Sequence, residues 1–178
     1  MSRQVAERIV TEATQNVGVL EDGNNRGKYI EVYQQSCVPA IPAGSPWCAA
    51  LVVFRITDAC KDLGVEYPTY LSKSGYTPNH VSKAKQHQQW LSVTDAKTKP
   101  SLVRPGDLVF FYFKQLGRIA HTGIVISVHK WGVWTIEGNT APEPSDELEV
   151  ERDGDGVFKK KRSWSELGTY GGFVLIDD

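Results

Sequence analysis

The spacing of apolar residues changes once along this chain, near Asp107, and no other feature constrains its fold as much. Before that point the pattern is helical. Val5, Ile9 and Ala13 fall on one face of a segment covering about 2–16, which the run Glu21-Asp22-Gly23-Asn24-Asn25 interrupts. A short helix fits about 27–35, and a long apolar one runs from Pro46 to about Gly64. Thr77-Pro78 has the form of an N-cap and first position for a helix ending near Gln86, and a polar loop leads on to Pro100. After Asp107 the pattern alternates, with strands expected at 107–113, 121–128, 133–137, 157–163 and 173–176. Helices followed by an antiparallel sheet predict an α+β fold. A length of 178 residues suits one domain, 1–178, with a helical N-terminal part covering about 1–44.

The long helix begins Ser45-Pro46-Trp47-Cys48-Ala49-Ala50. Ser45 suits an N-cap and Pro46 the first helical position, where a missing N–H costs nothing. Cys48 then falls in the first turn, where unsatisfied amides and the positive end of the helix dipole favour thiolate over thiol. Free cysteine is also a common core residue, so the position alone decides nothing.

Two downstream segments change the weighting: Ile119-Ala120-His121-Thr122-Gly123-Ile124-Val125-Ile126 and Trp134-Thr135-Ile136-Glu137-Gly138-Asn139-Thr140. Nucleophilic acyl transfer needs a thiolate, a base that takes and returns its proton, and a group that orients the base. Cys48, His121 and Glu137 or Asn139 fill those roles. Glu137 ranks ahead of Asn139, because a carboxylate stabilises an imidazolium and an amide only orients it. In the 121–139 hairpin, Ile124, Ile126, Val128, Trp134 and Ile136 are even-numbered, whereas His121, Gly123, Glu137 and Asn139 are odd. The candidate groups share a face only if odd residues pair with odd, which requires an odd-length loop or a bulge. Gly123 is expected to let the Cys48 helix approach the sheet.

These pieces, with Arg104-Pro105-Gly106-Asp107-Leu108-Val109-Phe110-Phe111, stand in the order found in CHAP domains (cysteine, histidine-dependent amidohydrolases/peptidases), relatives of NlpC-type and papain-like cysteine peptidases, and the chain resembles that family from about Gly44 to Thr140. The Gly154-Asp155-Gly156-Val157 return strand is also similar. The resemblance implies a papain-like arrangement and a peptidoglycan hydrolase, either an N-acetylmuramoyl-alanine amidase or a stem-peptide endopeptidase, of the kind found in endolysins. Cys48 would be the nucleophile, His121 the base, and Glu137 and Asn139 the orienting groups, with no cofactor. The Cys48 N–H is the default oxyanion donor. Ile41-Pro42-Ala43-Gly44 stands where papain-like enzymes carry a glutamine, which leaves Tyr33, by analogy with an NlpC-type tyrosine, or Asn25 as the second donor. Three readings stand beside this one: a secreted antibacterial effector with an immunity protein, a thiol protease or transamidase acting on proteins, and an inactive wall-binding module.

A net charge of −1 argues against a nucleic-acid partner. Arg3, Glu7 and Arg8 interrupt any signal-peptide core in the first ten residues, and no apolar run is long enough to span a bilayer. A wall-directed enzyme would therefore act in the periplasm or wall after delivery by a phage or secretion partner. Metal sites fail on spacing, with neither Cys-x-x-Cys nor His-Glu-x-x-His present.

Other residues invite simpler readings. Cys60 lies in phase with the apolar side of its helix, and Cys37 sits in a turn where it is buried, free or a redox partner. His80 and His87, in a Lys- and Gln-rich helix, are expected to face solvent. His129 is a turn residue and the rival base. Trp47 either joins the core or walls a substrate groove. The acids between Thr140 and Gly156 suggest a solvated loop rather than a calcium site, with Lys159-Lys160-Lys161-Arg162 as a neighbouring surface strip.

Overall fold

A computed structural model describes residues 3–142 and 154–177. The acids from Glu143 to Asp153 therefore lie outside the described residues. The fold is α+β. Helices α1 (Gln4–Gln15), α2 (Lys28–Ser36), α3 (Cys48–Leu63) and α4 (Thr77–Gln86) come first, then strand β1 (Trp90–Ser92) and helix α5 (Val93–Thr98). Strands β2 (Leu108–Phe113), β3 (Arg118–His129), β4 (Gly132–Thr140), β5 (Gly156–Ser163) and β6 (Gly172–Val174) complete an antiparallel sheet of order β1-β6-β2-β3-β4-β5. Among the described residues no helix is long and apolar enough to cross a membrane.

The stretch read as a polar loop before Pro100 contains β1 and α5. A three-residue strand is too short to display a period, and α5 buries only Val93 and Ala96. Its local signal is Ser92, whose hydroxyl accepts the Asp95 N–H at 3.1 Å as an N-cap does.

Helix α3 starts later than its sequence suggests. Trp47, not Ser45, holds the N-cap position, and no side chain of its own caps the helix. Ser45 instead closes a turn onto the Pro42 carbonyl, and its own carbonyl accepts the Gln34 side-chain amide at 2.8 Å. The amide just ahead of the helix, Trp47 N–H, donates across the fold to Asn139 Oδ1 at 3.0 Å. Thr77 is likewise no cap, because its hydroxyl donates to the Ile119 carbonyl at 3.0 Å and ties α4 to β3.

The sheet has a core on each face. Leu108, Phe110, Ile124 and Ile136 join the apolar residues of α1, α2 and α3. Val109, Phe111, Val125 and Val133 pack with Phe173, Trp164 and Leu167 on the other side. The odd face is thus not the polar face its sequence suggests, because α5 and the 3-10 turn at Trp164–Leu167 cover it. The Arg104–Asp107 turn is structural. Buried Asp107 accepts the N–H groups of Arg104 at 2.8 Å and Ile176 at 3.0 Å and pairs with Arg3, which joins both ends of the chain.

Candidate active site

The hairpin meets its parity requirement through a bulge. Lys130 and Trp131 form the connection between β3 and β4, and the register shifts between Val125 and Ser127, leaving Gly123 opposite Glu137 and Val125 opposite Thr135. The missing side chain of Gly123 does not serve α3, as its position suggested. A Cβ there would lie 2.5 Å from Glu137 Cγ, so Gly123 makes room for the Glu137 side chain to reach His121. The helix approaches at Gly138, where a Cβ would meet Trp47 at 2.6 Å and Leu51 at 2.7 Å.

His121 and Glu137 are fully buried, and His121 Nε2 lies 2.8 Å from Glu137 Oε2. The carboxylate also accepts Thr135 Oγ1 at 2.6 Å, Arg162 Nε at 2.9 Å and Arg162 Nη2 at 2.7 Å. Burial would push Glu137 up, but the Arg162 charge and hydrogen bonds, with those of His121, hold it well below the usual carboxylate range. Thus Glu137 is a fixed negative charge, and Nε2 must carry the proton it donates.

That leaves Nδ1 for Cys48. Nδ1 has no hydrogen-bond partner at ordinary distance among the described residues, yet the sulfur and the imidazole lie close enough to shift each other's titration. Catalytic contacts are often loose before substrate binds. Burial opposes charge on both groups. For Cys48, the adjoining His121 imidazole and its charge, helped by the Ala49 and Thr122 backbone amides, outweigh burial and hold the thiol below its ordinary value. For His121, the Cys48 sulfur and the Glu137 carboxylate, both acceptors for the imidazolium, and the charges of both outweigh burial and push it up to about 9. The two shifts together favour a thiolate–imidazolium pair.

Cys48, 6% exposed, opens onto a groove of about 270 Å³. Ala120 and Arg118 of β3, Pro39 and Ile41 of the loop before α3, and residues 74–77 also line it.

Four candidates lie elsewhere. Asn139 does not touch the imidazole. It adopts a left-handed conformation, φ +59°, where the β4–β5 register shifts, so the alternation that would align it with Glu137 breaks. Its Nδ2 donates to Asn25 Oδ1 and the Gly154 carbonyl, both at 2.9 Å, while Oδ1 holds the Trp47 amide. Asn25 is therefore a support for Asn139. Tyr33 is buried against Trp47 and Phe54, with ring centres 5.9 and 5.1 Å away, and does not line the groove. Trp47 is a core residue, fully buried, with its indole N–H on Glu21 at 3.1 Å.

Among the other histidines, His129 is exposed at the strand end, stacked on Trp131 with ring centres 4.8 Å apart, and is no rival base. His80 does not face solvent. It is 2% exposed, donates from Nε2 to the Ser74 carbonyl at 2.6 Å, and is pushed down to about 4 chiefly by burial. Thr77, His80, Val81 and Ala84 form the buried stripe of α4, a spacing visible in the sequence beneath its polar composition. Cys37 and Cys60 are buried and form no disulfide. Burial, then the Cys48 charge, pushes Cys37 up to about 11.

Arg162 is the residue that sequence reading missed. The 159–162 run is not one surface strip, because Lys160 and Arg162 are buried while Lys159 and Lys161 are exposed. The signal was strand alternation, since Arg162 lies opposite Val133 on the Glu137 side of the sheet. Among the described residues no group of three His, Cys, Asp or Glu side chains is arranged to hold a metal ion. No family model, curated protein or solved structure matches the chain.

Proposed function

We propose that this protein is a CHAP-like cysteine amidohydrolase that cleaves an amide bond in peptidoglycan. The observation that carries the chemistry is the placing of Cys48 at the start of α3, beside a buried imidazole whose far nitrogen is held by Glu137. The choice of substrate rests on the motif resemblance. The Cys48 thiolate attacks the scissile carbonyl carbon, and the Cys48 N–H, an orphan amide of the first helical turn, donates to the resulting oxyanion. Imidazolium Nδ1–H protonates the departing amine, the C–N bond breaks, and a thioester remains. Neutral Nδ1 then takes a proton from water as that water attacks the thioester, which returns the thiolate and the imidazolium.

The test is digestion of purified sacculi followed by mass spectrometry of the soluble products. Wild-type protein should release fragments bearing a new amine and a new carboxylate, and Cys48→Ser should release none. Equal release by Cys48→Ser would remove the nucleophile assignment. Cleavage of casein but not sacculi would replace the substrate class.

A further inference from the structure

The groove beside Cys48 carries a cation that the mechanism does not use. Arg118 lies two residues before Ala120 on β3, and both line the groove with Cys48. Its guanidinium donates from Nη1 to the Ile119 carbonyl at 3.0 Å and sits 5.2 Å from the centre of the Tyr76 ring, another groove residue. Among the described residues, no carboxylate lines the groove or pairs with Arg118. The contrast with Arg162 is informative. That arginine is buried and spends its donors on Glu137 and Glu166, whereas Arg118 is half-buried, braced by a carbonyl and an aromatic ring, with donors left for a ligand.

We propose that Arg118 determines specificity by holding a carboxylate that the substrate carries close to its scissile amide. The inference rests on the hydrolase reading for the amide and on the groove for the carboxylate. Arg118 and Cys48 line one groove of about 270 Å³, so the carboxylate belongs within a few residues of the carbonyl that Cys48 attacks. A guanidinium recognises a carboxylate through paired, charge-assisted hydrogen bonds that a carboxamide cannot match. The favoured substrate is thus an acidic peptide whose carboxylate is free, not amidated. The other named groove residues, Pro39, Ile41, Ala120 and Tyr76, offer mainly apolar surface, so Arg118 supplies the charge recognition.

Calorimetric titration of Cys48→Ala protein with synthetic stem peptides, each carboxylate replaced in turn by its carboxamide, tests this directly. One replacement should weaken binding by about tenfold or more. In the Cys48→Ala/Arg118→Gln protein the acid and amide forms should bind within about twofold of each other, and Arg118→Lys should restore part of the preference. A preference that survives Arg118→Gln, or no preference at the outset, overturns the proposal. Wild-type turnover of the same peptides separates the two readings. Peptides bound with acid preference but left uncleaved would retire the hydrolase and keep the carboxylate subsite, whereas cleavage indifferent to amidation would do the reverse.

Discussion

Replacing Arg162 with methionine tests how the site holds its charge. The substitution keeps an unbranched side chain but removes two hydrogen bonds to fully buried Glu137, at 2.9 and 2.7 Å, and the guanidinium that pairs with its carboxylate. Breaking a buried ion pair from one side costs about 3 to 5 kcal/mol, because the remaining charge stays desolvated. For a chain of this length that is a fall in melting temperature of about 10 °C. The pH dependence supplies a sign. In the wild type, Glu137 is held below its ordinary value, so its contribution is present above the unfolded pKa and is lost as pH falls through the lower native one. Without Arg162, burial dominates and raises the Glu137 pKa, so the native variant takes up a proton more readily than its unfolded chain. The stability gap between wild type and variant should therefore narrow on acidification. A neutral Glu137 also stops supporting the imidazolium, so turnover falls with stability. The double variant Glu137→Gln/Arg162→Met removes the uncompensated charge and should regain most of the melting temperature but not the turnover. Thermal melts and sacculus digestion across pH read all of this. A single variant as stable and active as wild type, or a double variant no more stable than the single one, would refute the reasoning.

Three further outcomes follow from the same structure. Iodoacetamide should label Cys48 before Cys37 and Cys60, at pH values below the ordinary thiol range, and turnover should fall on the alkaline side through about 9 as His121 loses the proton meant for the leaving amine; an alkaline limb near 6.5 would contradict the pairing. Asn139→Ala strands the buried Trp47 amide and should cost about 1 to 3 kcal/mol in unfolding experiments, whereas Glu137→Gln should keep the fold and slow turnover about tenfold or more; slow turnover with unchanged stability in Asn139→Ala would place that residue on the imidazole after all. His80 protonates more readily unfolded than folded, so stability should fall as pH drops from 6.5 to about 4, by roughly 3 kcal/mol at about 1.4 kcal/mol per tenfold change in proton affinity; His80→Gln should flatten that slope, and an unchanged slope would assign it elsewhere.

The parts of this fold that were legible in its sequence are those with long enough runs to show a period. Four helices and the strands after Asp107 fall close to their expected positions, and of the odd-length loop or bulge that the 121–139 hairpin requires, the chain uses the bulge. The missed parts depend on partners distant in sequence. Ser45 has the right chemistry for a cap, but the side-chain oxygen of Asn139, 92 positions after Trp47, holds the amide ahead of α3. Asn139 falls on the Glu137 face only if strand parity is extended through a residue with φ +59°. Arg162 was hidden by its neighbours, since four consecutive cations read as solvated surface until the strand turns every second one inward.

Arg162 also accounts for how so much charge is accommodated in one place. A thiolate, an imidazolium and a carboxylate alone would place net negative charge in a desolvated site, and burial would neutralise one of them by moving a proton. With Arg162 the series alternates in sign from the groove inward, Cys48, His121, Glu137, Arg162, and sums to zero. Glu166, with its side chain 32% exposed and 3.5 Å from Arg162 Nη1, continues the alternation towards solvent. Each inner charge has an opposite neighbour on either side, which lets Glu137 stay ionised at full burial. In the attack step of the proposed reaction the charge that moves is the outermost one: the thiolate sulfur bonds to the carbonyl carbon and the carbonyl π pair shifts to the oxygen, and His121 gives up its charge only afterwards, with the proton it passes to the amine, while Glu137 and Arg162 stay charged. The second core on the odd face keeps water from that inner series, so removing its packing at Phe111, whose ring centre lies 5.4 Å from both the His121 ring centre and Arg162 Cζ, would weaken the site without touching any charged group.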